Sequence, residues 1–558
     1  MNEGAWAWDA ISLEVFRSSL LSIVEEMLAA LWRSGHSPSL KERRDCSASI
    51  YSPGLEMVVQ AEHIPIHLGV MPYALKSIAA YFPPEHMQRG DGFITNDPYL
   101  GMANHLPDLI VGGPLFVDGK LVGFVSSMAH HSDVGGAAPR SMPALAKEIF
   151  QEGLRIPPIQ LVQRGDVLDD TVRFIAANSR TPSDVIADLT AQIASVRLAQ
   201  RRVDELSRKY DVPTMISGMS LILDRSEAAM REHLRTLPNG KWVGHSVADY
   251  AVEGFPICAT VILVDDELTV DFTGTAEQCA GPFNAALANT YATVLTIVRN
   301  LLGTDVPPNA GLYRPLNMVV PSGTIVNPRY PAAVSAATQV SYHTHEALMR
   351  AMEPLAPDLV IADSGGGGVY SWGGLNPQTG RLYAYGEAIG GGLGAGPDGD
   401  GESAVMPPVA NLRDTPTESL EMHMPIRVER YELVRGSGGA GRFRGGLGIR
   451  RVIRMLAPAT WSIQISMSKK PPYGLHGGGP GAPTRCTLIR ADGAIEAIEE
   501  FTTIEAEAGD VIVIETAGGG GYGVAHSNAD RLHDEEGARV ASADGRESPS
   551  PLEPVGSH

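Results

Sequence analysis

Cysteine is the first thing this chain has little of: four in 558 residues, at positions 46, 258, 279 and 486. None forms a Cys-x-x-Cys pair, which excludes a zinc ribbon, and their wide spacing excludes a disulfide framework. A reducing compartment follows, read here as the cytoplasm. Lysine is scarce, and none sits in a Gly-x-x-x-x-Gly-Lys-Ser/Thr frame, so ATP used in the reaction is not held by a Walker motif of this chain. A net charge of −20 with no basic stripe argues against a nucleic-acid binder. No run of 18 apolar residues occurs, so no membrane span is expected. Met1-Asn2-Glu3-Gly4 lacks the basic and apolar regions of a signal peptide.

What is present is an ordinary globular composition, 44% hydrophobic and 19% charged, in a chain too long for one core. We expect a multidomain α+β protein: a mixed α/β metal-binding unit over 1–165, a helical segment over 166–240, a mixed α/β domain over 241–430, a β-rich domain over 431–526 and a disordered tail over 527–558. Leu13, Phe16, Leu20, Val24, Met27 and Leu31 recur at helical spacing. Strands are expected around Ile50 and over Met57–Val59. Ile186, Leu189, Ile193, Val196, Val203 and Leu206 predict a long helix that Pro213 separates from the next. Asp265-Asp266-Glu267 joins a second predicted hairpin, and a helix is expected near Ala285–Leu302. Glycine becomes dense in the second half, at 365–368, 390–394, 436–448, 474–481 and 518–523. These runs read as the turns of many short strands, where glycine supplies positive φ, rather than as phosphate loops.

Two motifs carry the chemistry. One is Asn104-His105-Leu106-Pro107-Asp108; the other is His130-His131-Ser132-Asp133. Two His and two Asp among Gly and Pro are residue types that hold a divalent transition metal. The strands Leu109–Val111 and Leu121–Val125 bracket Asp118-Gly119, a strong hairpin signal. An antiparallel hairpin returns His130 to the edge that holds His105 and Asp108. Asp133 is a candidate partner for the second ring nitrogen of His130. His131 reads as a further ligand, a proton-transfer residue or a structural histidine. A third patch, Glu62, His63 and His67 among Ile, Leu and Pro, suits acid–base or substrate-binding work, or a hydrogen-bonded structural role.

These segments resemble the hydantoinase B family. The resemblance runs through Glu42-Arg43-Arg44-Asp45-Cys46-Ser47, Ala61–Gly69, Asn96-Asp97-Pro98-Tyr99 and both His-Asp motifs. It continues through Gln151–Pro158, Val270–Thr275, Asn309-Ala310-Gly311, Arg413-Asp414-Thr415-Pro416, Ser437–Gly446 and Gly518–Gly523. It implies the B subunit of an ATP-dependent hydantoinase, 5-oxoprolinase or caprolactamase. In such an enzyme an actin-like A subunit, carrying ATP-Mg, phosphorylates a cyclic amide carbonyl, and the B subunit completes ring opening within an A2B2 heterotetramer. It also implies one divalent metal (Zn, Mn or Fe) on Asp45, His105, Asp108 and His130, with His131 or Glu62 moving protons. The chain departs from the family's usual Gly-Gly-Thr-His before the first His, reading Gly101-Met102-Ala103-Asn104-His105. Two other readings stand beside this one: a subunit of an ATP-dependent ketone carboxylase, and a non-catalytic scaffold subunit.

Overall fold

The computed structural model describes residues 8–61, 64–250, 254–301 and 306–525. Glu62, His63 and the expected tail lie outside them. Helix and strand occur in near-equal measure, 30% and 27%, in the mixed multidomain arrangement expected.

Helix α1 (Ala10–Ser34) starts at Asp9, whose side chain accepts the Ser12 N–H in a capping box. It buries the predicted stripe from Leu13 to Leu31. After the single turn α2 (Pro38–Lys41) come β1 (Cys46–Tyr51) and β2 (Met57–Gln60), paired antiparallel as expected. Helix α3 (His67–Tyr81) precedes β3 (Gly92–Thr95) and the long hairpin β4 (Asp108–Val117) and β5 (Lys120–His130). Asp118 and Gly119 turn that hairpin with φ of 49° and 73°, the left-handed pair that a two-residue turn requires. With β6 (Ile159–Gln163) and β7 (Asp166–Val167) these strands form one sheet in the order β2-β1-β5-β4-β3-β6-β7.

Helices α4 (Asp169–Ala177), α5 (Pro182–Leu206) and α6 (Val212–Leu234) follow, with Pro213 in the first turn of α6 as expected. One core joins α1, α5 and α6 to one face of the sheet through Phe16, Val24, Ile50, Val125, Val203 and Met215. The other face is covered by α3 and by α7 (Leu287–Leu301), through Val70, Met71, Ile110, Met128 and Ala292. Burial on both faces explains why nearly every residue of β4 and β5 is buried.

A second sheet contains β8 (Gly240–Ala248), β9 (Phe255–Val264), β10 (Glu267–Asp271) and β11 (Leu316–Val319), with α8 (Ala337–Met352) packed on β8 and β9. The predicted hairpin around 265–267 is β9–β10. The third sheet runs β13-β12-β16-β19, from β12 (Val369–Asn376), β13 (Arg381–Ala388), β16 (Ala459–Gln464) and β19 (Phe501–Ala506). After the short helix α9 (Thr417–His423), the fourth takes β14 (Ile426–Leu433), β15 (Ile449–Met455), β17 (Arg485–Ile489), β18 (Ile495–Ala497) and β20 (Val511–Glu515). These two sheets share a core centred on Trp372 and Trp461, stacked at 4.5 Å.

The glycine runs do something other than expected. Gly436, Gly477 and Gly523 have positive φ, but most members do not. Instead the runs lie against one another, backbone to backbone. Gly446 N–H donates to Leu393 C=O (2.8 Å), Gly519 to Gly446 (3.0 Å), Gly439 to Gly519 (2.8 Å) and Gly521 to Gly479 (2.9 Å). A Cβ on Gly519 would overlap Leu393 O, and one on Gly445 would overlap Gly519 O. Glycine is required here by close approach rather than by turn geometry. These amides are spent on neighbouring carbonyls, which leaves them no role in holding phosphate.

Candidate metal centre

The first sheet delivers the site. Asp108 opens β4, His130 closes β5, and the two are direct cross-strand partners. On the other side of β5, Cys46 pairs with Ala129 and His130 N–H donates to Asp45 C=O (3.0 Å), which places Asp45 beside His130. Three adjacent strands therefore present Asp45, His130 and Asp108 at one edge. His105 is held by the turn before β4, where Asp108 N–H donates to His105 C=O (3.1 Å). Its Nε2 lies 3.0 Å from Asp108 Oδ2, and its ring meets the His130 ring edge to face at 5.1 Å.

His105, Asp108 and His130 each offer one donor atom, all within 4.8 Å of one another. His130 Nδ1 bonds the His131 carbonyl (2.9 Å); since a carbonyl only accepts, Nδ1 carries the proton and Nε2 is bare. Three buried donors have no partner among the described residues: His130 Nε2, His105 Nδ1 and Asp108 Oδ1. Three buried side chains of this chemistry, with donor atoms this close and each with one nitrogen or oxygen left unbonded, fit a divalent metal ion.

Burial, reinforced by the positive charge of Arg140, holds His130 well below the usual histidine range and so keeps it neutral. Burial would raise the Asp108 carboxyl, but His105, 3.0 Å away, favours its charged form and holds it below the ordinary carboxylate range. Burial raises the Asp45 carboxyl, opposed by Arg43 and His67. Asp45 and His67 line the same cavity, of about 50 Å³, with Asn104, His105, Asp108, His130 and Arg140. Apart from Thr338 the rest of its lining is apolar, including Ile64, Ile66, Met142, Val369, Val409 and Leu412. His67 Nε2 is 3.9 Å from Asp45 Oδ1, and its Nδ1 is 2.9 Å from Ser47 Oγ.

Two expected participants face elsewhere. His131 follows the last residue of β5, so its side chain points to the opposite side of the sheet, where Nε2 meets Gln192 of α5 at 2.9 Å. Asp133 does not reach His130. It is paired with Arg180 (3.0 Å), accepts the N–H of Arg180 and of Gly135, and so braces the loop after β5.

Others join the site without having been expected. Asn104 Nδ2 donates to Asp108 Oδ2 (3.0 Å), Asn289 of α7 donates to Asn104 Oδ1 (2.5 Å), and Ser341 of α8 donates to Asn289 Oδ1 (2.5 Å). This chain of bonds orients the Asp108 carboxylate from two helices far away in sequence, and no local motif announces it. Arg140 sits at φ 64° in a short turn, its side chain filling space that a Cβ on Gly386 would occupy.

The sequence profile of the Hydantoinase B/oxoprolinase family matches residues 9–525. The chain belongs to that family. It is 36% identical over 520 residues to an uncharacterised protein of Methanocaldococcus jannaschii, covering 92% of this chain and 91% of that one. It is 33% identical over 548 residues to the 5-oxoprolinase PfmaA of Pestalotiopsis fici, covering 94% of this chain but 42% of that longer protein. Among solved structures, the ATP-dependent caprolactamase from Pseudomonas jessenii superposes with a TM-score of 0.87 at 29% identity, over 95% of this chain and 94% of that one. An acetone carboxylase chain shares the fold, with a TM-score of 0.86 at 19% identity over 96% of this chain and 79% of that one. No helix among the described residues is long and apolar enough to cross a membrane.

Proposed function

We propose that this chain is the metal-dependent B subunit of a cytoplasmic, ATP-dependent cyclic amidohydrolase, which opens a hydantoin, 5-oxoproline or lactam ring after an A subunit has phosphorylated the carbonyl. The supporting observation is the set of orphaned donors on His105, Asp108 and His130, at the edge of an apolar cavity, in a chain that matches a caprolactamase along nearly its whole length. Asp45, His105, Asp108 and His130 would hold one Zn, Mn or Fe ion. Such an ion, when bound, polarises a carbonyl-type oxygen and acidifies water.

The chain's own residues supply the rest. The wall of Ile64, Ile66, Met142 and Val409 excludes bulk water and suits the methylenes of a small ring. His67, kept neutral by burial beside Asp45, holds a free pair at Nε2 if Ser47 takes the Nδ1 proton, and so accepts a proton inside the cavity. Glu62, the other candidate proton carrier, lies outside the described residues. ATP-Mg belongs to the partner in this reading, since no Walker frame occurs here, and the assembly is an A2B2 heterotetramer.

The test is co-expression with an actin-like A subunit, followed by ATP-turnover assays on hydantoin, 5-oxoproline, caprolactam and ketone-plus-bicarbonate panels. Ring-opened product on a cyclic amide is expected. Turnover only with ketone and bicarbonate would replace hydrolysis by carboxylation. Full activity in a His105→Ala chain would leave this subunit as a scaffold.

A further inference from the structure

Two buried arginines lie beside the donor cluster without a carboxylate at salt-bridge distance among the described residues, although both feel the charge of Asp45. Arg43 is fully buried; its Nη1 donates to Gly386 C=O (2.9 Å), while Nε and Nη2 have no partner. Arg140 is 3% exposed, lines the cavity, and its Nε has no partner. Among the described residues neither forms an ion pair. Another buried guanidinium differs in one respect: Arg451, equally inaccessible and also with Nε and Nη2 unbonded, is paired with Glu387 at 2.7 Å. An arginine stays charged wherever it is placed, and a buried charge without a partner is strongly disfavoured.

Asp45 and Asp108, the carboxylates near Arg43 and Arg140, belong to the proposed ligand set, so a bound divalent ion would engage them in place of the two guanidinium groups. The backbone also favours this placement at some cost to itself. Arg140 adopts the left-handed conformation that L residues avoid, and Gly386 leaves room for its side chain.

We infer that Arg43 and Arg140 form an anion subsite beside the proposed metal ligands, in which Arg140 receives the oxygens of a carboxylate or phosphoryl group on the substrate and Arg43 supports it from behind. The guanidinium fork matches both groups. The inference rests on the proposed function and narrows it: the molecule bound next to the metal is anionic, either because the ring bears a carboxylate or because its activated carbonyl bears phosphate.

The test uses the full-length, metal-loaded chain and its Arg140→Gln and Arg140→Lys variants, with isothermal titration of inorganic phosphate and of 5-oxoproline at constant ionic strength. Metal content is measured in parallel. Arg140→Gln should weaken anion binding at least tenfold with metal content unchanged, and Arg140→Lys should recover part of the loss. Binding of 5-oxoproline alone assigns the subsite to a ring carboxylate; binding of phosphate alone assigns it to the phosphoryl group. Equal affinity in wild type and Arg140→Gln, or no binding of either anion to the wild type, would overturn the inference. A wild-type chain that fails to retain metal would instead count against the proposed function, while an Arg140-dependent anion affinity would still stand.

Discussion

His130 and His343 are buried alike, 3% and 2% exposed, yet they are set to opposite states. His130 faces a cavity that also holds Arg140, and burial and that positive charge keep it neutral with Nε2 bare. His343, on α8, lies between two carboxylates: its Nε2 is 3.4 Å from Asp249 Oδ1 and its Nδ1 is 3.5 Å from Glu346 Oε2. Burial alone would discharge it, but the facing carboxylates of Asp249 and Glu346 push it up to about 9. Asp249 is itself fixed by the N–H groups of Met467, Ser468 and Lys469, so the imidazolium ties the second sheet's helix to the C-terminal half. A buried histidine is therefore not a ligand by virtue of burial. Its neighbours decide whether it stays neutral with a lone pair free or is held charged between carboxylates.

The comparison can be broken most severely at the donor cluster. His105→Ala should abolish metal retention and lower ring-opening turnover by about 10³-fold or more, the scale of removing a group on which the chemistry depends; metal analysis and the assay above check this. His343→Gln should do the reverse, keeping the metal while destabilising the fold by about 3 kcal/mol at pH 6, the cost of leaving buried carboxylates unpaired. Urea titration measures it, and metal loss in this variant would erase the distinction drawn between the two histidines. Asn104→Ala removes the donor that orients Asp108 and should weaken metal affinity about 10- to 100-fold, read by competition with a chelator, with little change in melting temperature.

The smallest effect is in pH dependence. The His343 value is raised on folding, so between about 6.5 and about 9 the folded chain holds a proton that the unfolded chain has released. Its stabilising contribution is complete below that window and disappears as pH rises through it. His343→Gln should flatten the decline in stability between pH 7 and 9, which thermal melts across that range would detect. An unchanged slope would mean that the imidazole is not charged in the folded protein.

The hairpin that carries the site was legible locally. Asp118-Gly119 set the turn, and the apolar strands on either side brought Asp108 opposite His130. Asp45 was not legible from spacing; only the resemblance suggested it, because its proximity depends on β1 pairing with β5 across some 80 residues. Helix α3 escaped notice because Pro65 and Pro72 punctuate its segment, and Pro72 is tolerated inside it. Helix α8 escaped because Gln339, Ser341, His343, Thr344 and His345 are all buried, which blurs the apolar stripe that marks a helix. The glycine runs were visible, but their purpose was misread, since close packing between runs far apart in the chain, such as Gly446 on Leu393 and Gly519 on Gly446, leaves no trace in any one of them.

What the sequence by itself determined is what local physics can encode: the capped first helix, the two-residue turn, the donors placed at the ends of one hairpin and the absence of a nucleotide loop. Tertiary structure alone decided which charges meet. It turned His131 and Asp133 away from the cavity, brought His67, Arg43, Arg140 and Asn289 toward it, and set His130 and His343 to opposite protonation states. The physical reason is that electrostatic environment depends on distance through a low-dielectric interior, and those distances arise only when separate elements pack.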